Sequence, residues 1–196
     1  MTDADRTEAD VIDLLAGLTP GSPLALIRAR KPITRDQAQA SHDALFAPAD
    51  AGDVTLRERF ALATFCAELH GQDDIAAFYA RGLDDTSLTA ALQAEASTAS
   101  TAGPYGAYPK GPLSVEDQPG ISYHPRSAFD PKLAAALAHV HMLVFHPRDA
   151  SPAHLQSLLD AGWSNTAIVT ISQLVAFLSF QIRTIAGLRI LAGATP

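Results

Sequence analysis

The chain has 196 residues, of which 47% are hydrophobic and 18% charged, with a formal net charge of −7. That length suits one domain, or one domain with a small appendage, and the apolar fraction excludes wholesale disorder. The acidic balance, with Lys and Arg scattered, argues against a nucleic-acid partner, because phosphate contacts need a basic face. A single cysteine, Cys66, excludes an intrachain disulfide and a multi-cysteine zinc site. The opening residues, MTDADRTEAD, are acidic and polar, unlike a signal or transit peptide. The most apolar stretch, 168–188, is interrupted by Gln173, Gln181 and Arg183, whereas a membrane span needs about 20 mostly apolar residues. The expectation is a soluble, cytoplasmic protein with no membrane segment, and the Ala and Arg bias with few Lys fits GC-rich bacterial coding.

In chain order, Val11, Ile12, Leu14, Leu15 and Leu18 predict a short amphipathic helix over 8–18, ended by Thr19-Pro20-Gly21. PGSPLALIRARKPI then reads as a Pro-bearing loop, and Thr34 as the N-cap of a helix through Ala38, His42 and Leu45. Thr55 and Glu58 form a capping-box signal for a long helix over about 56–70, interrupted by Gly71. Further helices are predicted over about 72–82 and 86–96. Residues 97–130 lose apolar periodicity but keep Tyr105, Tyr108, Leu113, Ile121, Tyr123 and Phe129, which reads as a long ordered surface loop anchored by aromatics. Asp130-Pro131 and Ser151-Pro152 open two more helices. Ser164 opens a last, long one that is apolar almost all round from Ile168 to Phe180, as a helix buried in a bundle or against a partner would be. Nothing reads as a strand, so the predicted class is all-α, a single domain over 1–196 with 1–50 as an N-terminal helical extension.

Cys66 and His70, four apart, place their Cβ atoms roughly 6 Å apart on one helix face. A thiol beside an imidazole can act as nucleophile and base, although a lone Cys in an Ala-rich helix also reads as a small buried hydrophobe. His139 and His141 point to different faces, and His146 lies roughly 10 Å from His139 along the axis. No metal site is expected from that spacing, and His146-Pro147-Arg148-Asp149 reads as a hydrogen-bonded helix exit. Gln173, Ser179, Gln181 and Arg183 sit in the most apolar helix and must find partners, either across helices or subunits or by lining a pocket. Gly103, Gly106 and Gly111 lack the strand–turn–helix context of a phosphate-binding loop.

The stretch Leu56–Gly71 and the segment 158–188, LLDAGWSNTAIVTISQLVAFLSFQIRTIAGL, resemble in order and spacing two segments of the carboxymuconolactone decarboxylase and AhpD-like superfamily. The resemblance covers roughly 55–190 and implies an AhpD-like helical bundle. Loop motifs such as Gly103-Pro-Tyr-Gly-Ala-Tyr-Pro and Gly111-Pro-Leu-Ser-Val-Glu-Asp resemble a branch of it without the Cys-x-x-Cys motif. Active members use a cysteine pair, a Glu and a His to reduce peroxide. Aligned on Arg57-Glu58-Arg59, the family Glu falls on Phe60, the two cysteines on Gln72 and Ile75, and the His on Tyr79. A second register makes Cys66 the second cysteine and His70 the histidine, with Ala63 and Ala51 at the other two positions. In either register a two-cysteine cycle within one subunit is excluded. Two readings follow from the resemblance. One is peroxidase-related or non-redox chemistry in the ancestral pocket where the 56–82 helices meet 164–183, with Cys66, His70 and Tyr79 as candidate catalytic groups. Gln72, Gln173, Gln181 and Arg183 would then contact the ligand, a small molecule such as the organic acids of the lactone decarboxylases, and no cofactor is implied. The other is a non-catalytic partner subunit or binding module of an AhpD-like peroxidase system, and beside both stands a small-molecule-binding protein with an apolar pocket. Homo-oligomers are the rule among such proteins.

Overall fold

The computed structural model describes residues 10–126 and 129–194. Among the described residues are nine α-helices and no strand. They are α1 (Val11–Ala16), α2 (Pro23–Ala29), α3 (Pro32–Phe46), α4 (Leu56–Leu69), α5 (Asp73–Leu83), α6 (Thr86–Ala99), α7 (Pro131–Phe145), α8 (Pro152–Asp160) and α9 (Asn165–Ala194). Extended pairing among the described residues is one isolated antiparallel bridge, Gly106 with Gln118. The helices fall into two units, one holding the described residues to Ala49 and those from Ser179 onward, the other Asp50–Leu178.

In the first unit, the Asp10 side chain accepts from the Asp13 amide at 2.8 Å and starts α1, and Gly17 ends it in the left-handed region at φ 70°. The helix is therefore shorter than the predicted 8–18, whose first two residues lie outside the described set. The stretch expected to be loop contains α2. Ser22 caps it by accepting from Ala25 N at 3.4 Å, and Pro23 takes its first position. Similarly, α3 begins at Pro32 rather than at a Thr34 cap. The three helices are tied by the buried carboxylates Asp10 and Asp13. Arg28 bonds both, Arg35 Nε donates to Asp10 Oδ2 at 3.0 Å, and Arg35 Nη2 lies 3.4 Å from Asp13 Oδ2.

In the second unit the capping box forms as predicted: Thr55 Oγ1 accepts from Glu58 N, and Glu58 Oε2 accepts from Thr55 N at 2.8 Å. α4 then runs with Ala61 through Ala67 all buried, and α5, α6 and α7 pack against it. The Arg-Glu-Arg triplet is consumed by structure. Arg57 Nη2 donates to Asp85 at 2.7 Å, Glu58 accepts from Lys132 at 2.8 Å, and the buried Arg59 donates to the Val54 and Ala51 carbonyls at 3.0 and 2.7 Å. Phe60 lies against Gly82 of α5, where an added Cβ would stand 2.3 Å from its ring.

The long connection after α6 packs on the C-terminal end of α7. Tyr105 N donates to Phe145 O at 2.7 Å, Arg148 Nη2 donates to Tyr105 O at 3.2 Å, and the Arg148 guanidinium lies 3.8 Å from the Tyr108 ring centroid. This close approach explains the glycines. A Cβ on Gly103 would sit 2.9 Å from Phe145 O, and one on Gly106, whose φ is 111°, would sit 2.8 Å from Asp149 Oδ1. Phe129 is buried as an anchor, whereas Leu113 and Ile121 are half exposed.

Within the single chain α9 is covered only in part. Ala167, Ile168, Ile171, Leu174, Val175 and Leu178 are buried, but Val169, Gln173, Ala176 and Phe180 are exposed, a spacing of four, three and four that leaves one line of the helix uncovered. By length and composition, Asn165–Gly193, with mean hydropathy 1.5, is long and apolar enough to cross a membrane, and a third of that window is buried. A buried core helix meets the same criterion.

Candidate functional site

The residues singled out by sequence lie on α4, α5, the turn between them and α9. Cys66 and Tyr79 are both 0% exposed, on α4 and α5, and the Tyr79 ring meets Phe78 edge-on at 5.1 Å. His70 is the C-cap of α4, its backbone N–H 3.2 Å from the carbonyls of both Cys66 and Ala67. Gln72 is half-buried just before α5. On α9, Gln173 and Arg183 are exposed and Gln181 is fully buried. With no solvent contact, the Cys66 sulfur is out of reach of a peroxide in the closed fold.

A cavity of about 400 Å³ lies elsewhere, between the Ser122–Pro125 segment, α7 and α8. It is lined by His124, His139, His141, His146 and His154, five of the chain's seven histidines. Its floor on α7 is Ala134, Ala135, Ala138 and Met142. His139 and His141 do leave α7 in different directions, and they border the cavity from its two sides. A second cavity, of about 410 Å³, shares Ser122, Tyr123, His124 and His141 with it and is bounded by Glu95 and Arg126 of the loop and α6.

Hydrogen bonding settles the two innermost imidazoles. His141 Nε2 is 3.1 Å from Ala99 O, and a carbonyl only accepts, so Nε2 carries the proton. His139 Nε2 is 3.0 Å from Ser172 Oγ, whose single proton goes to Ile168 O at 2.8 Å, so here too Nε2 donates. Both rings are neutral at pH 7. Burial, with the His154 charge adding to it, pushes the His139 pKa down to about 4. Burial, and secondarily His146, lowers that of His141 against the opposing pull of the Ala99 carbonyl. In a neutral ring with Nε2 protonated, Nδ1 is a bare acceptor, and among the described residues no donor reaches Nδ1 of either. His146 Nδ1 lies 3.3 Å from Asp149 Oδ2 without hydrogen-bond geometry. Among the described residues no three His, Cys, Asp or Glu side chains converge as a metal would require.

Tyr123 ties the lid of the cavity to the core. Its ring stacks on His141 at 4.4 Å and on Phe65 at 6.2 Å, and its hydroxyl donates to the buried Glu95 at 3.0 Å. Arg126 Nε donates to the same carboxylate at 2.9 Å, and the Arg126 amide at 3.3 Å. Burial and the Glu95 charge hold the Tyr123 hydroxyl protonated, raising its pKa. Glu95→Ala is expected to cost about 2–3 kcal/mol in urea unfolding, since it strands a buried donor and removes charge-assisted bonds. It should also make the 121–126 segment the first site of limited proteolysis. Tyr123→Phe, which removes one bond, should cost about 1 kcal/mol.

No family model, no curated protein and no solved structure matches the chain. The cavity does not follow from the spacing of the histidines, which bears only on their convergence on one point. The available signal was different: Ala135, His139, Met142 and His146 recur at helical spacing along one side of α7.

Proposed function

We propose that this chain is a small-molecule-binding member of the carboxymuconolactone decarboxylase and AhpD-like group, with dithiol chemistry lost and its ligand held in the histidine-lined cavity. The observation that carries the reading is the gathering of five histidines around one opening of about 400 Å³, the size range of ligand pockets. The full burial of Cys66 supports it from the other side, because a thiol peroxidase must present its sulfur to peroxide.

Binding is tested with protein whose histidine rings are ¹³C-labelled, screened by NMR against ring-sized fragments. Fragments should shift the signals of His139, His141 and His154 and leave His42 and His70, which lie outside the cavity, in place. Ala138→Leu, which fills the floor, should weaken those shifts at least about tenfold. Fragment binding that moves no cavity histidine, or that survives Ala138→Leu, would sink the proposal.

A further inference from the structure

We infer that the C-terminal half of α9 is the seam of a two-fold, antiparallel dimer of this chain, with the axis at the level of Ile185. In the first unit Phe180, Arg183, Gly187 and Ile190 are all exposed, while Gln181, Ile182 and Ile185 are buried. The exposed four recur at intervals of three, four and three, the repeat that keeps one helix facing another. Gly187 is an independent observation. Gly82, in α5, has a reason within the chain, because a Cβ there would strike Phe60. Gly187 has no such reason. It lies well inside α9, its φ is not positive, and a Cβ on it would meet nothing within 4 Å. A glycine in a helix interior weakens that helix relative to alanine, so what it contributes here is room for the close approach of a second backbone. The pattern of sizes selects a second copy of the chain as that neighbour. In a two-fold interface residue i meets j and j meets i. About an axis at Ile185, antiparallel helices set Phe180 against Ile190 of the partner subunit and Arg183 against Gly187 of the partner subunit. Apolar then meets apolar, and the longest side chain meets the residue without one. The Arg183 stem crosses the glycine and its guanidinium reaches the solvated rim. A parallel pair would instead set arginine against arginine, with a void between the glycines. The first unit is short of cover in general: about a third of the chain, it holds seven of the fourteen large hydrophobic residues exposed among those described. Four residues a side make a small interface, so the dimer is reversible and concentration-dependent.

The test uses the full chain. Sedimentation over a range of concentrations should show a monomer–dimer equilibrium, and Gly187→Leu should weaken it at least about tenfold. At dilutions where both are monomeric, G187L should unfold at a temperature no lower than the native chain, because its side chain meets nothing in the monomer. Phe180→Cys and Ile190→Cys are then made separately, each with Cys66→Ala, so that every chain carries one thiol. Oxidised alone, each should give little linked dimer, since antiparallel helices hold the two copies of either position roughly 15 Å apart along the axis, beyond the reach of a disulfide. Mixed, F180C and I190C should link to each other. A chain that stays monomeric at the concentrations used for NMR overturns the inference and leaves the seam to a different protein. So does a dimer that G187L leaves intact. F180C linking readily to itself overturns the antiparallel seam in favour of a parallel one.

Discussion

In native buffer, Cys66 should react with hydroperoxide or a thiol label at least about 100-fold more slowly than in the same chain unfolded in guanidinium. The side chain is 0% exposed, so reaction waits on local opening of α4. An opening that costs only about 3 kcal/mol already slows labelling by about two decades, and core helices open with free energies near that of global unfolding. The expected trace is a single slow phase by mass spectrometry, with the same peroxide consumption in native protein and Cys66→Ala. Rapid stoichiometric sulfenic acid at Cys66, lost in Cys66→Ala, would restore the register that pairs Cys66 with His70 and remove the ground for placing the site at α7. Because α4 buries Ala61 through Ala67 in succession, exposing the sulfur would mean displacing the face that α5 and α6 cover.

What the sequence made legible was the punctuation. Thr55 with Glu58, Asp130 with Pro131, and Ser164 are each found capping the helix they announced. The Ser-Pro signal at Ser22-Pro23 also opens a helix, α2, but that helix buries none of its residues and carries no apolar stripe for a sequence pattern to report. α9 is legible only in part. Its residues are apolar on every side, yet Val169 is 56% and Phe180 45% exposed, because composition records what a face could bury and not what covers it. The glycine-rich connection is explained by packing. Gly103 and Gly106 lie within contact of Phe145 and Asp149, a long-range proximity that no local pattern encodes. The cavity was half legible. His139 and His146 stand at helical spacing in the sequence, but Tyr123 and His124 arrive from a loop tied to Glu95, in α6, nearly thirty residues earlier.

Acidification should destabilise the fold through His139. In the unfolded chain an imidazole binds its proton below about pH 6.5. In the folded chain burial delays protonation of His139 until about pH 4, with the His154 charge acting the same way. Between those values the unfolded state holds more protons, so stability falls as pH drops through the window and is complete above it. At 1.36 kcal/mol per pH unit, this residue alone withdraws roughly 2 kcal/mol between pH 7.5 and pH 5. His141 shifts in the same direction and steepens the fall. The titratable groups facing these rings are His154 for His139, and His146 and Tyr123 for His141. His139→Gln keeps a donor for Ser172 and cannot be protonated in this range. Urea unfolding at the two pH values should therefore show a smaller loss for H139Q than for the native chain, by roughly that 2 kcal/mol. Equal losses would mean that His139 takes up its proton in the folded state as readily as in water. The cavity would then carry positive charge under mildly acidic conditions.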